Sequence, residues 1–238
     1  MKIILYIALI IGFVGINSCK KSMDSKVIER ALGEFDTVTF NSSFEVFLIQ
    51  GTENKIKIEG AERILENVDF SIEKNTLIIK NGFKRGWVHP SKNKIKVYLT
   101  VNQISRINAN ETCTIQSVNT LIGNEIGLVF TGKLNQATLD LNCNTFYYWN
   151  NFPCGGKVTL SGNTNELKIW NVALMAIDAE NLISNYVLVN NASKGDCKLT
   201  CLQTLDYSIS GEGNIYVSGN PSSIIKSGES STGKLILQ

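Results

Sequence analysis

The sequence predicts an all-β protein whose larger part is a right-handed β-solenoid with coils of about 20 residues. Three observations predict it. Short strand-like triplets recur from Ile107 onward: Ile107-Asn108-Ala109, Leu128-Val129-Phe130, Tyr147-Tyr148-Trp149, Leu167-Lys168-Ile169, Val187-Leu188-Val189, Tyr207-Ser208-Ile209 and Ile224-Ile225-Lys226. They end at 109, 130, 149, 169, 189, 209 and 226, so six steps stay near 20 residues. Between them stand residues that tolerate left-handed corners: Gly132, Gly155-Gly156, Gly162, Asn171, Asn190-Asn191, Gly195, Gly211, Gly213 and Gly219. Finally, residues 33–105 alternate apolar and polar with period two, as half-buried strands do. An antiparallel β-sandwich is the alternative, because evenly spaced hairpins also give short strands at regular intervals. The regular step favours the solenoid.

A coil of this length cannot bury its own apolar side chains. Stacking sets each strand beside its equivalent in the next coil, about 4.8 Å away, and inward residues then form continuous ladders.

Residues 1–18 read as a secretory signal, with Lys2 before the apolar run Ile3 to Ile16. The run is short for a membrane-spanning helix. Ile16-Asn17-Ser18-Cys19 resembles a bacterial lipobox, which implies cleavage before Cys19 and acylation of that cysteine. Acyl chains hold a protein on a membrane by burying methylenes. Lys20 follows the cysteine, and by resemblance to the enterobacterial sorting rule nothing retains the protein at the inner membrane. The expected location is therefore the outer membrane, on either face. Removing 18 of the 238 residues leaves 220, enough for a substantial core. Residues 19–32 are polar and mixed in charge, as a tether is. A net charge of +2 is too mild to imply a nucleic-acid partner.

Residues 33–105 form an N-terminal β half and residues 106–238 the solenoid half. Val38-Thr39-Phe40, Phe44 to Leu48, Lys55 to Ile58 and Lys94 to Leu99 are strands by alternation, and Leu77-Ile78-Ile79 is a short apolar one. Asn41-Ser42-Ser43 and Gln50 to Asn54 are turns. Ala61 to Val68 has room for one or two helical turns, with Ile64, Leu65 and Val68 on one side.

Several residues carry chemistry worth weighing. His89 lies in the basic loop Phe83 to Lys94 with Arg85 and Trp87. A planar ring beside a guanidinium suits an anionic sugar or lipid headgroup. The plainer reading is a solvated hairpin loop whose Trp87 covers a sheet edge. Tyr147, Tyr148, Trp149, Phe152 and Trp170 form an aromatic cluster, and Trp149 and Trp170 lie one period apart within a residue. Exposed, they suit sugar rings; inward, they are an aromatic core ladder. Asp140 and Asp178 stand about two coils, or about 9–10 Å, apart by strand spacing, near the separation of inverting glycosidase acids. Both alternate with apolar neighbours, which places them on the solvent face.

Besides Cys19 there are five cysteines, an odd number: Cys113, Cys143, Cys154, Cys197 and Cys201. None are one coil apart. They read as buried thiols acting as small hydrophobes, with a Cys143–Cys154 disulfide across a loop as the alternative. With one His and no paired CxxC, neither a metal nor a cofactor is expected. No Ser or Cys has a His in plausible motif context, so nucleophilic catalysis lacks its base.

The order of features resembles the head GIN domain group of Bacteroidetes lipoproteins, labelled autotransporter-adhesin-like. The pieces that carry the resemblance are Phe35 to Val38, Phe44 to Gly51, Ile56 to Gly60, Leu77 to Ile79, Val97 to Leu99, Ser210 to Pro221 and Ser227-Gly228. Gly213-Asn214-Ile215 looks like the name-giving corner. The sequence departs at Asn108 to Glu111 and at Glu229 to Thr232, which bears on local corner geometry. The resemblance implies a β-solenoid-like fold and a cell-envelope location, and it supplies no catalytic residues. The expected function is a non-enzymatic, lipid-anchored envelope protein for adhesion, binding or scaffolding. Its partners would be the membrane, through the anchor, and glycans or surface proteins. A glycan-binding or glycan-cleaving solenoid is the alternative.

Overall fold

The structure, a computed structural model, describes residues 25–83 and 94–238. In chain order the elements are β1 (Ser25–Ala31), β2 (Thr37–Phe40), β3 (Phe44–Gln50), β4 (Lys55–Ala61), α1 (Glu62–Leu65), β5 (Val68–Glu73), β6 (Thr76–Asn81), β7 (Lys96–Val101), β8 (Arg106–Ala109) and β9 (Cys113–Ser117). There follow β10 (Leu121–Phe130), β11 (Leu134–Asn150), β12 (Gly155–Ser193), β13 (Cys197–Ile209), β14 (Ile215–Ser218), β15 (Ser223–Glu229) and β16 (Leu235–Leu237).

These strands build a β-solenoid of about 6 turns with coils about 21 residues apart. The pairing is parallel from coil to coil, which rules out the antiparallel sandwich. One ladder runs β6–β2–β8–β10–β11 and on through β12, β13 and β15; another runs β7–β3–β9–β11–β12–β13–β14–β16. β12 is long enough for two passes. Hydrogen bonds from Asn185 to Asn165 and from Asn171 to Asn191 fold it back beside itself one coil on.

The N-terminal half joins this stack directly. β2 pairs with β8 from Thr37↔Arg106 to Phe40↔Ala109, and β3 pairs with β9 from Phe44↔Cys113. Antiparallel strands finish this end: β1 on β4, β4 on β7, and β5 on β6. Charged side chains on β1, such as Lys26, Glu29 and Arg30, discourage further pairing along that outer edge. The helix is a single turn, with Ile64 and Leu65 buried, and Val68 already belongs to β5.

The core is a set of inward ladders. Ile126↔Phe146↔Leu167 and Leu128↔Tyr148↔Ile169 are in register across three coils. Val129, Ile169, Val189 and Ile209 are all buried in strands, as the period predicts, but Val129 is covered on the outer side and Leu128 takes the inward place in its coil. The corners differ from expectation. Among the expected corners positive φ occurs at Gly156, Gly162 and Gly219, and it occurs also at Ala173 and Asn220, but not at Gly132, Gly155, Gly195, Gly211, Gly213, Asn171, Asn190 or Asn191. Asn150, Asn171 and Asn191 instead point inward, fully buried, and hydrogen-bond the backbone where the chain turns.

Candidate functional site

Two outward columns cross the face built by β8, β10, β11 and the first pass of β12. Register fixes them as Arg106↔Gly127↔Tyr147↔Lys168 and Asn108↔Val129↔Trp149↔Trp170. The Tyr147 ring lies flat over Gly127: a Cβ there would come within 2.0 Å of Tyr147 Cζ. A side chain at position 127 would have to displace the Tyr147 ring. Burial pushes the Tyr147 hydroxyl up, Arg106 opposes that, and Glu125 reinforces it. Val129 faces outward yet is nearly covered. Trp149 and Trp170 stand side by side on neighbouring strands, 40% and 36% exposed.

The column is polar on both sides of this apolar stretch. Toward the N-terminal end Asn108 Nδ2 donates to Thr39 Oγ1 at 3.1 Å and Arg106 Nε donates to Asn108 Oδ1 at 3.0 Å. Toward the other end Ser208 Oγ donates to Asn190 Oδ1 at 2.6 Å. Lys168 Nζ pairs with Glu166 at 2.6 Å, holding the Glu166 carboxyl below its ordinary range.

Where these strands reach their corner, a groove of about 500 Å³ crosses successive coils. Small residues line it: Ala173, Ala192, Gly211 and Ser231. Phe152, 75% exposed, Leu174 and the Lys194–Glu212 ion pair also line it. Ala173, Ala192, Gly211 and Ser231 recur near the coil period, and that run of small residues is the sequence signal for the groove.

Tyr148 belongs to the core and not to a binding surface. It is 0% exposed and meets Phe130 edge-to-face at 5.9 Å. Its hydroxyl has no hydrogen-bond partner, and burial pushes its pKa up, with Cys154 and Cys197 nearby adding to the shift. Alternation explains the placement: Tyr147 and Trp149 face out, so the residue between them faces in. Arg85, Trp87 and His89, like Cys19, lie outside the described residues.

The acid pair does not assemble. Asp178 accepts from Lys157 at 2.7 Å, and Lys157 is in register with Gln136, four residues short of Asp140. Two strand spacings and four residues separate the aspartates by about 16 Å, well beyond glycosidase range. Asp140 is held by Thr120 and by Ser161 Oγ at 3.1 Å. The five thiols are free and buried, so Cys143 and Cys154 form no disulfide. Cys143 lies against Thr164, whereas Cys154 lies against Asn135. Burial pushes Cys113 and Cys197 up to about 12, which makes them poor nucleophiles. Among the described residues no group of three His, Cys, Asp or Glu is placed to hold a metal ion.

The family model described as "Putative auto-transporter adhesin, head GIN domain" matches residues 34–221. The chain belongs to the head GIN domain family. Solved structures share this fold. A putative adhesin from Bacteroides fragilis superposes with a TM-score of 0.83 at 16% identity, covering 91% of this chain and 98% of that one. A putative adhesin from Parabacteroides merdae gives 0.64 at 17% identity, over 91% and 97%. A protein titled a putative lipid binding protein, from Parabacteroides distasonis, gives 0.64 at 16% identity, over 90% and 98%. At these identities the likeness concerns the fold. Among curated proteins none matches the chain.

Proposed function

We propose that the protein is a non-enzymatic, adhesin-like component of the cell envelope, anchored to the outer membrane through an acylated Cys19. The family description and the names of two solved relatives support the adhesin-like part. The observation that carries the reading is how the solenoid spends its side chains. Its core is closed, its thiols are sealed inside, and Asp140 and Asp178 are apart and held by structural partners. What remains is broad outer faces presented by a rigid stack, the geometry of a surface that binds.

The anchor is tested by fractionating cells that express the full chain. The protein should stay with membranes through a high-salt wash, and Cys19→Ser should release it. A Cys19→Ser protein that still pellets after the wash would refute the anchor. Adhesion of the same cells to host or abiotic surfaces tests the role, and it should fall with release of the protein.

A further inference from the structure

We infer that the outward strip at Val129, Trp149 and Trp170 is a binding site for a neutral oligosaccharide chain lying along the solenoid axis; this rests on the binding role proposed above. In this column two indoles face solvent while asparagines one position on face the core. Trp170 is followed by Asn171 and Asn190 by Asn191. The inward Asn171–Asn191 hydrogen bond therefore sets Trp170 and Asn190 outward together, one coil apart. The column then reads Asn108, Val129, Trp149, Trp170, Asn190: amides at both ends and an apolar centre.

Charge, size and chemistry narrow the occupant. The charges around the strip oppose one another: Lys168 with Glu166 in an ion pair, and Arg106 with Glu125 beside the Tyr147 hydroxyl. A balanced rim gives no attraction to a phosphate headgroup, a nucleic acid or an acidic peptide. A stable protein interface needs about 800 Å² from each partner, far more than two half-exposed indoles and a covered valine supply. A pyranose ring has an apolar C–H face that lies on an indole and hydroxyls around its edge that hydrogen-bond. The strip offers the first at its centre and amides at its ends. The four strand spacings from Asn108 to Asn190 come to about 19 Å, the reach of a short oligosaccharide. The amides are already oriented, Asn108 by Thr39 and Arg106, and Asn190 by Ser208.

The test titrates the purified protein with cellohexaose, maltohexaose, xylohexaose and chitohexaose, read by calorimetry and by tryptophan emission. At least one should bind saturably. Trp149→Ala and Trp170→Ala should each weaken that binding at least tenfold with unchanged melting, while Trp149→Phe retains most of it. Ile225→Ala, on the far end of the same face, should leave binding intact. Independently of any variant, the bound sugar should protect Trp149 and Trp170 of the unmutated protein from oxidation by N-bromosuccinimide, resolved from Trp87 by peptide mapping. Absence of binding across the panel, binding that survives both alanine variants, or lack of protection would each overturn the site. So would binding to phosphatidylglycerol vesicles in place of sugars. Cell adhesion lost in Cys19→Ser but kept in Trp170→Ala would remove this site and leave the adhesin-like reading standing.

Discussion

Asn171 and Asn191 lie one coil apart, both fully buried, and the Asn171 amide donates to Asn191 Oδ1 at 3.0 Å. Each also satisfies carbonyls at the turn: Asn171 reaches Met175 O at 2.9 Å, and Asn191 reaches Gly195 O at 3.2 Å and Gly213 O at 3.0 Å. A solenoid corner leaves backbone groups that no strand neighbour meets, and the amides meet them from inside.

Asn191→Ala should therefore cost about 3 kcal/mol, since several buried polar groups lose their partner at about 1–3 kcal/mol each. Urea unfolding should show a lower midpoint at unchanged slope. Asn191→Leu keeps the bulk but should be no better, because the need is for a donor and an acceptor.

Gly156 sits at φ +129°, and a Cβ there would lie 1.9 Å from Asn135 O. Gly156→Ala should destabilise by more than about 3 kcal/mol or prevent folding. Gly33→Ala, where a Cβ would meet only Ile72 Cδ1 at 3.8 Å, should change stability by less than about 1 kcal/mol. Equal effects at the two positions would mean the corner is not tight.

The repeat was legible because its apolar members return on schedule. Ile169 is in register with Tyr148, and Tyr148 with Leu128, so an Ile169→Ala cavity should cost about 2–5 kcal/mol. The phase was harder to read. Sequence leaves Trp149 either exposed or in an inward ladder; the structure exposes it and buries the neighbouring Asn150. Periodicity counts hydrophobicity, and it cannot see that a turn's carbonyls need an internal amide more than the core needs an indole. Coil count alone likewise gives only the spacing of Asp140 and Asp178 across strands; Lys157 puts Asp178 four residues away along the strand.

The thiols predict an alkaline limit. Cys113 and Cys197 are pushed up to about 12 by burial, whereas in the unfolded chain a thiol titrates near about 8.5. Below that pH both states hold the proton and the thiols' full contribution is present. Between about 8.5 and 12 the unfolded chain releases protons that the native state keeps, so stability falls as pH rises, by up to about 1.4 kcal/mol per pH unit and thiol. Cys197→Ala should flatten the fall. At neutral pH Ellman's reagent should leave all five buried thiols unlabelled until denaturant is added; rapid labelling of the native protein would contradict their burial.

Binding without turnover is tested most directly by holding the purified protein with each polysaccharide it binds and measuring reducing-sugar release alongside the binding isotherm. Saturable binding with no release above the protein-free control is expected. Release that Asp140→Asn or Asp178→Asn abolishes would contradict a non-enzymatic role.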